Sequence, residues 1–168
     1  MNKRIKALLC CLVFTSLFGQ EAIAAGQGDT SPDCQLGAFA DHNPLSLKQW
    51  RGQVLYVDFW ASWCGPCAKS FPFLNSLNSE LKSQGLQIVG VNLDETPADA
   101  QGFLAKYPAN FTIAADPQGL CAPLFSVQAM PSSYLIDRKG VIRHIHLGFK
   151  AGEAEELKQL VIKLLAEH

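Results

Sequence analysis

A pair of cysteines, Cys64 and Cys67, follows shortly after an apolar run, and this arrangement limits the possible folds more than any other part of the sequence. The run, Val54 to Trp60, is rich in β-branched and aromatic residues and therefore predicts a buried strand. An amphipathic helical pattern begins immediately after the cysteines. Two cysteines with this spacing at a strand-to-helix junction indicate a redox-active dithiol.

Local chemistry predicts different roles for the two cysteines. Cys64 is predicted at the helix N-terminus, where unpaired backbone N–H groups and the helix dipole stabilise a thiolate. Gly65 permits a tight turn, and Pro66 suits the first helical position because its missing N–H would have no partner there. Cys67 is predicted inside the first turn, where it is more shielded from solvent. We therefore interpret Cys64 as the attacking thiolate and Cys67 as the resolving thiol.

Other uses of the cysteine pair are less favoured. A structural zinc site would need a second pair of ligands at similar spacing, and the sequence contains no second CxxC and no HxxxH. A purely structural disulfide is also less favoured, because a bond that closes a short loop stabilises least in the chain-entropy model. The preferred interpretation needs no metal, and no cofactor beyond the Cys64–Cys67 disulfide itself.

The beginning of the chain has the pattern of a cleaved export signal. Lys3, Arg4 and Lys6 precede an apolar segment at positions 7–18, and Ala22-Ile23-Ala24 forms a cleavage box. The apolar segment is short for a membrane span, so a retained N-terminal anchor is the less favoured alternative. We therefore expect a cleaved signal at residues 1–24, a flexible lead-in at 25–35 and one domain at 36–168.

Charge and cysteine content predict the compartment. Removal of the signal takes three basic residues and one acidic residue from a chain of net charge −1, so the mature chain has a net charge of −3. This mild acidity gives no reason to expect nucleic acid or an anionic membrane as partner. The remaining chain has four cysteines, and an even number in an exported protein indicates an oxidising compartment such as the periplasm. If Cys64 pairs with Cys67, Cys34 and Cys121 form a second candidate disulfide; two free buried thiols are the alternative.

The order of predicted elements indicates an α/β domain with a mixed sheet. A crossover helix between the first long strands implies parallel pairing, whereas the final hairpin around Asp137–Gly140 must be antiparallel. The predicted strands are Leu36–Ala40, Val54–Trp60, Leu86–Leu93, Phe111–Ala114, Ser132–Ile136 and Val141–Leu147, and predicted helices follow Cys64, cover Pro97–Lys106 and Gly119–Ser126, and begin near Glu153.

The residues around the cysteine pair, with Met130-Pro131 ahead of a later strand, resemble the thioredoxin superfamily. The motif is Val57-Asp58-Phe59-Trp60-Ala61 followed by Trp63-Cys64-Gly65-Pro66-Cys67. The Leu45–Lys48 lead-in, the central insert and the export signal are most similar to its exported TlpA/ResA-like thiol–disulfide reductases. The resemblance covers the chain from Leu36 onward. It implies a thioredoxin-like fold, with a mixed central sheet flanked by helices on both faces.

The resemblance also implies roles for residues outside the cysteine pair. Pro131 matches the cis proline that lies against the active-site disulfide, which implies a Met130 backbone beside Cys64 that can pair with an extended substrate segment. Asp58 matches the buried acid that assists deprotonation of the resolving cysteine, and burial raises the pKa of a carboxylate. Trp63, Gly65 and Pro66 complete the predicted substrate-binding surface. Ser70 departs from the glutamate of cytochrome-maturation reductases, so the resemblance does not extend to that role.

The expected function is reduction of disulfides in exported proteins by a monomer, recharged by a membrane electron donor of the DsbD type. A disulfide oxidase or isomerase would use the same cysteines in other directions. A copper-binding metallochaperone would use them with a histidine, since His144 and His146 alternate on a predicted strand and share a face. The individual substrate stays open.

Overall fold

A computed structural model describes residues 25–41 and 43–167. The predicted export signal, residues 1–24, lies outside the described residues. The elements in chain order are β1 (Gln35–Ala38), β2 (Pro44–Ser46), a 3-10 turn (Leu47–Trp50), β3 (Val54–Trp60), α1 (Gly65–Leu81), a 3-10 turn (Lys82–Gln84), β4 (Leu86–Asn92), α2 (Pro97–Lys106), β5 (Thr112–Ala115), α3 (Cys121–Leu124), β6 (Ser132–Ile136), β7 (Ile142–Leu147), a 3-10 turn (Ala151–Glu153) and α4 (Ala154–Ala166).

The strands form one mixed sheet in the order β2-β1-β5-β4-β3-β6-β7. Strands β3, β4 and β5 pair in parallel, because α1 and α2 return the chain to the same end of the sheet. The other neighbouring strands pair antiparallel, including the β6–β7 hairpin. The predicted α/β fold with a mixed sheet is confirmed.

The sheet is covered on both faces, and β3 lies at the centre of both cores. Every residue of β3 is buried, as expected for a strand that reads as a continuous apolar run. Tyr56 and Trp60 face a cluster built with α1, α2 and α4, whereas Val57 and Phe59 face a cluster that includes α3 and the first 3-10 turn. This strand therefore carries its C-terminal end, and the cysteines after it, on a rigid support.

Several predicted elements extend one or more residues beyond the observed ones, and two of them, β1 and α3, differ by two residues or more at one end or both. Strand β1 ends at Ala38 rather than Ala40, because the chain turns over residues 39–41 and the Ala38 N–H donates across this turn to the Asn43 carbonyl. Helix α3 covers only Cys121–Leu124, and the residues predicted at its two ends, Gly119 and Ser126, have φ values of 63° and 58°. Positive φ lies outside the right-handed helical region, so both ends leave the helix.

The segment predicted as a flexible lead-in lies along the start of β7. Gly28 donates to the Ile142 carbonyl at 2.8 Å, Ile142 donates to the Asp29 carbonyl at 2.9 Å, and Ser31 donates to the Gly140 carbonyl at 2.8 Å. Beyond this pairing, the Cys34 sulfur lies 1.94 Å from that of Cys121, at bonding distance. The described part of the lead-in is thus connected both to the sheet and to α3.

None of the helices formed by residues 25–41 and 43–167 is long and apolar enough to cross a bilayer.

Removing the Cys34–Cys121 disulfide should destabilise the protein. The two cysteines are 87 positions apart. In the chain-entropy model, closing a loop of that size raises the free energy of the unfolded chain, and so stabilises the folded state, by about 4.5 kcal/mol. We expect the double variant Cys34→Ser/Cys121→Ser to unfold at lower urea concentration. Denaturation followed by circular dichroism measures the change. An unchanged unfolding midpoint would contradict this stabilising role.

Candidate active site

The junction of β3 and α1 places the cysteine pair at a helix N-terminus. Cys64 is the N-cap of α1, with Gly65 and Pro66 as the first two helical residues. The Cys67 N–H donates to the Cys64 sulfur at 3.1 Å, and the two sulfurs are bonded at 2.01 Å. Negative charge that develops on Cys64 would therefore be stabilised by a backbone N–H group and by the helix dipole.

The two cysteines differ in their access to solvent. Cys67 is fully buried, whereas Cys64 keeps 5% of its surface exposed and lines a groove of about 480 Å³. Trp63, 72% exposed, forms part of this groove, and Gly65 and Pro66 are exposed beside it. The opposite wall belongs to α2 and the residue after it, through Asp99, Gly102, Phe103, Lys106 and Tyr107. An incoming sulfur can reach Cys64 from this side, but not Cys67.

The loop between β3 and the cysteines is held by a carboxylate. Asp94 accepts the Ser62 backbone N–H at 2.9 Å on one oxygen and the Ser62 hydroxyl at 2.9 Å on the other. Asn92, at the end of β4, donates to the same carboxylate at 2.7 Å. Because β4 is the parallel neighbour of β3, this network ties the active-site loop to the adjacent strand end.

Pro131 immediately precedes β6, and its peptide bond with Met130 is cis. The Pro131 carbonyl accepts the Gly148 N–H at 2.8 Å, which connects this turn to the end of β7. Met130 is partly buried and packs against the cluster that contains Cys64 and Cys67. The structure therefore brings the Met130–Pro131 turn to the same core cluster as the cysteine pair.

Asp58 lies in the centre of the buried strand β3. Its side chain is on the sheet face that carries Tyr56 and Trp60, the face packed against α1. Its Oδ1 atom accepts the Ser133 hydroxyl at 2.6 Å, and Oδ2 has no hydrogen-bond partner among the described residues. Burial raises the pKa of Asp58 to about 7, and the Ser133 hydrogen bond partly opposes that rise. This carboxyl can therefore exchange a proton near neutral pH.

Ser70 and the two histidines have other partners. Ser70 is buried and donates its hydroxyl to the Cys67 carbonyl at 3.1 Å. The His144 and His146 rings stack at 6.2 Å on one face of β7, as predicted from their alternation, and His146 pairs with Glu153. Among residues 25–41 and 43–167, no three His, Cys, Asp or Glu side chains form a group that could hold a metal ion.

Comparison with known proteins agrees with this geometry. The model of the Redoxin family matches residues 26–161. The chain belongs to the Redoxin family. It is 31% identical to thiol-disulfide oxidoreductase ResA of Geobacillus kaustophilus over 81% of this chain and 77% of the relative. It is 30% identical to ResA of Geobacillus thermodenitrificans, over 90% and 87% respectively.

A solved structure shows a similar relationship. A crystal structure from Chlorobium tepidum, described as a candidate thiol:disulfide interchange protein DsbE, is 43% identical and superposes with a TM-score of 0.81. The match covers 85% of this chain and all of the other. The predicted relationship to ResA-like thioredoxin-fold proteins is therefore confirmed, and the chain is a thiol–disulfide oxidoreductase.

Three features of the site were missed from the sequence. Ser133 donates to Asp58, Asp94 holds the active-site loop, and α2 forms one wall of the groove. The signal for Ser133 was present, since Ser132 and Ser133 are small polar residues at the start of a strand that was predicted as part of the mixed sheet. Its partner could not be found without the register between β3 and β6.

Replacing Asp58 should change how stability depends on pH. The carboxyl has its ordinary pKa of 3.8 when unfolded and a pKa of about 7 when folded. Between these values the folded state binds more protons, so wild-type stability falls as pH rises through this window and stays reduced above it. An amide avoids this loss, so Asp58→Asn should be more stable than wild type by up to about 4 kcal/mol at pH 8 and nearly equal at pH 4.

Urea unfolding of the oxidised proteins at the two pH values measures this difference. A gap between wild type and Asp58→Asn that is the same at pH 4 and pH 8 would contradict the raised pKa. Asp99→Asn is the matched control, because Asp99 lies exposed in α2 and should show no comparable gain at pH 8.

Proposed function

We propose that this oxidoreductase acts outside the cytoplasm as a reductase of protein disulfides, with Cys64 and Cys67 as its redox pair. The observation that carries the proposal is the position of Cys64. Its sulfur caps the N-terminus of α1, accepts the Cys67 N–H and lines an open groove, whereas Cys67 is buried behind it. Nucleophilic exchange needs an accessible thiolate, and only Cys64 of this pair meets that condition.

The reaction begins with the reduced enzyme. The Cys64 thiolate attacks one sulfur of a substrate disulfide; the substrate S–S bond breaks, a mixed disulfide forms and the other substrate sulfur leaves as a thiolate. Cys67 then gives its proton to the Asp58 carboxylate and attacks the Cys64 sulfur. The Cys64–Cys67 bond forms and the second substrate thiolate leaves, so the substrate gains two electrons and the enzyme is oxidised.

Substrate binding is assigned to the exposed surface around Cys64. Trp63, Gly65 and Pro66 are exposed there, and no atom lies within 4 Å of the position a Cβ on Gly65 would occupy. Such open backbone suits the close approach of a polypeptide. We assign the Met130–Pro131 turn as the edge along which an extended substrate segment pairs.

The proposed compartment and electron source follow from the chemistry. The export-signal pattern and the Cys34–Cys121 disulfide both favour an oxidising, extracytoplasmic environment such as the periplasm. There the oxidised enzyme must receive two electrons after each turnover, and a membrane donor of the DsbD type can supply them. In this proposal the Cys64–Cys67 disulfide is the redox group that turns over, no added cofactor takes part, and the protein acts as a monomer.

Serine variants should separate the roles of the two cysteines. Cys64→Ser should abolish reduction of insulin disulfides, because no accessible thiolate remains. Cys67→Ser should also lose turnover but accumulate a covalent complex with substrate, because nothing resolves the mixed disulfide. Non-reducing gel electrophoresis and mass spectrometry detect the complex. A Cys64→Ser protein that still reduces insulin, or that traps substrate through Cys67, would overturn the assignment.

The reduction potential decides the direction of exchange. A reductase with a Gly-Pro dipeptide between its cysteines should have a potential near that of thioredoxin, about −270 mV. Equilibration of the Cys64–Cys67 pair with glutathione buffers, in the Cys34→Ser/Cys121→Ser background, measures it. A value near about −120 mV, as in strongly oxidising exported proteins, would instead make this enzyme a disulfide donor.

A further inference from the structure

Ser133 and Asp58 face each other directly across two central strands. The antiparallel register of β3 and β6 pairs their Cα atoms, so both side chains lie on one sheet face. Both residues are buried, Asp58 with 1% and Ser133 with 5% of its surface exposed. The contact is therefore fixed by backbone hydrogen bonding rather than by side chains that happen to meet.

The two carboxylate oxygens of Asp58 have different surroundings. Ser133 donates to Oδ1 at 2.6 Å, the short distance typical of a hydroxyl bonded to a carboxylate. The second oxygen, Oδ2, is buried without a partner in the described part of the chain. One oxygen is thus held in place, while the other is left to gain and lose a proton.

Few other charged or titratable groups face this carboxyl. Tyr56 lies two residues away on β3, and burial together with the Asp58 charge raises the pKa of its phenol. The cysteine pair belongs to the apolar cluster that packs on this same face of the sheet. Strand β4 contributes only Gly90 opposite Asp58, and β7 contributes His146 opposite Ser133, already paired with Glu153.

The packed face of α4 is apolar, through Leu157, Val161 and Leu164. Burial and the Ser133 hydroxyl are accordingly the two influences that set the pKa of Asp58.

We propose that Ser133 is a positioning residue for the resolving step, whose hydroxyl holds Oδ1 of Asp58 so that Oδ2 takes the proton released by Cys67. This inference rests on the proposed function. The hydroxyl favours the ionised carboxylate, because a donor bonded to the charged form stabilises it. Without that donor, the desolvated carboxyl stays protonated at neutral pH and has no site for the proton of Cys67.

The test follows Asp58 and the reaction in parallel. Carboxyl ¹³C NMR titrates Asp58 in the full-length protein, and insulin reduction is measured across the pH range. Ser133→Ala should raise the titration midpoint of Asp58 by about one pH unit. The acid limb of the pH–rate profile should shift to higher pH by the same amount, so that the rate at a given pH on that limb falls about tenfold. Ser133→Thr keeps a hydroxyl and should retain both wild-type midpoints.

Ser132→Ala is the matched control. Ser132 is the neighbouring buried serine of β6, and its hydroxyl donates to the Ala129 carbonyl at 2.7 Å instead of to Asp58. Removing it should leave the titration of Asp58 unchanged. A folded Ser133→Ala protein in which Asp58 titrates as in wild type would overturn the proposal.

Two further comparisons keep the outcome clear. If Ser133→Ala does not fold, Ser133→Thr and Ser133→Val can be compared, because the two variants differ mainly in the hydroxyl. A shifted Asp58 midpoint in Ser133→Val but not in Ser133→Thr supports the proposal. Equal midpoints in the two variants overturn it. If Cys64→Ser retains insulin reduction, the proposed function fails instead. The NMR titration still distinguishes the two failures, because it reports on Asp58 without any turnover.

Discussion

Strand β3 is buried on both faces from Val54 to Trp60, and the position of the redox pair depends on that burial. A strand enclosed by two apolar clusters cannot shift along its axis without moving its whole set of side chains out of register. Its parallel pairing with β4 and antiparallel pairing with β6 restrict it further. Cys64 follows four residues after the strand ends, and the Ser62–Asp94 hydrogen bonds hold the short connection.

The same burial makes Asp58 unfavourable for stability and suitable for proton transfer. A carboxylate enclosed among Tyr56, Trp60 and α1 loses its hydration, and a single hydroxyl replaces only part of it. Burial thereby brings its pKa into the range where a thiol's proton can be accepted. The aromatic contacts around it, such as Trp60 with Phe71 at 5.1 Å and with Phe103 at 4.9 Å, help to offset this cost.

Features encoded in consecutive residues were predictable, and those that depend on distant pairing were not. The bounds of β3 and α2 were predicted as observed, because an apolar run and a helical repeat are local patterns. The Ser133–Asp58 contact joins residues 75 positions apart and was not predicted. The Cys34–Cys121 bond, across 87 positions, was predicted only as one of two alternatives, from the number of cysteines and not from any local pattern. Such contacts depend on sheet register and packing, which no short stretch of sequence specifies.

The two disulfides have the same chemistry but different environments, and only Cys64–Cys67 has the access that the proposed exchange needs. Cys64 lines an open groove at a helix N-terminus, where an attacking thiolate can reach it and a departing one is stabilised. Cys34 and Cys121 lie instead in the cluster on the opposite side of the sheet, where Cys121 is completely buried. The proposed exchange requires an incoming thiolate to approach a sulfur. Because the two bonds lie on opposite faces of the sheet and only Cys64 lines the groove, that approach is open at the Cys64–Cys67 bond. The two bonds lie in separate clusters on opposite faces of the sheet, which keeps the predicted stabilising disulfide apart from the proposed reactive one.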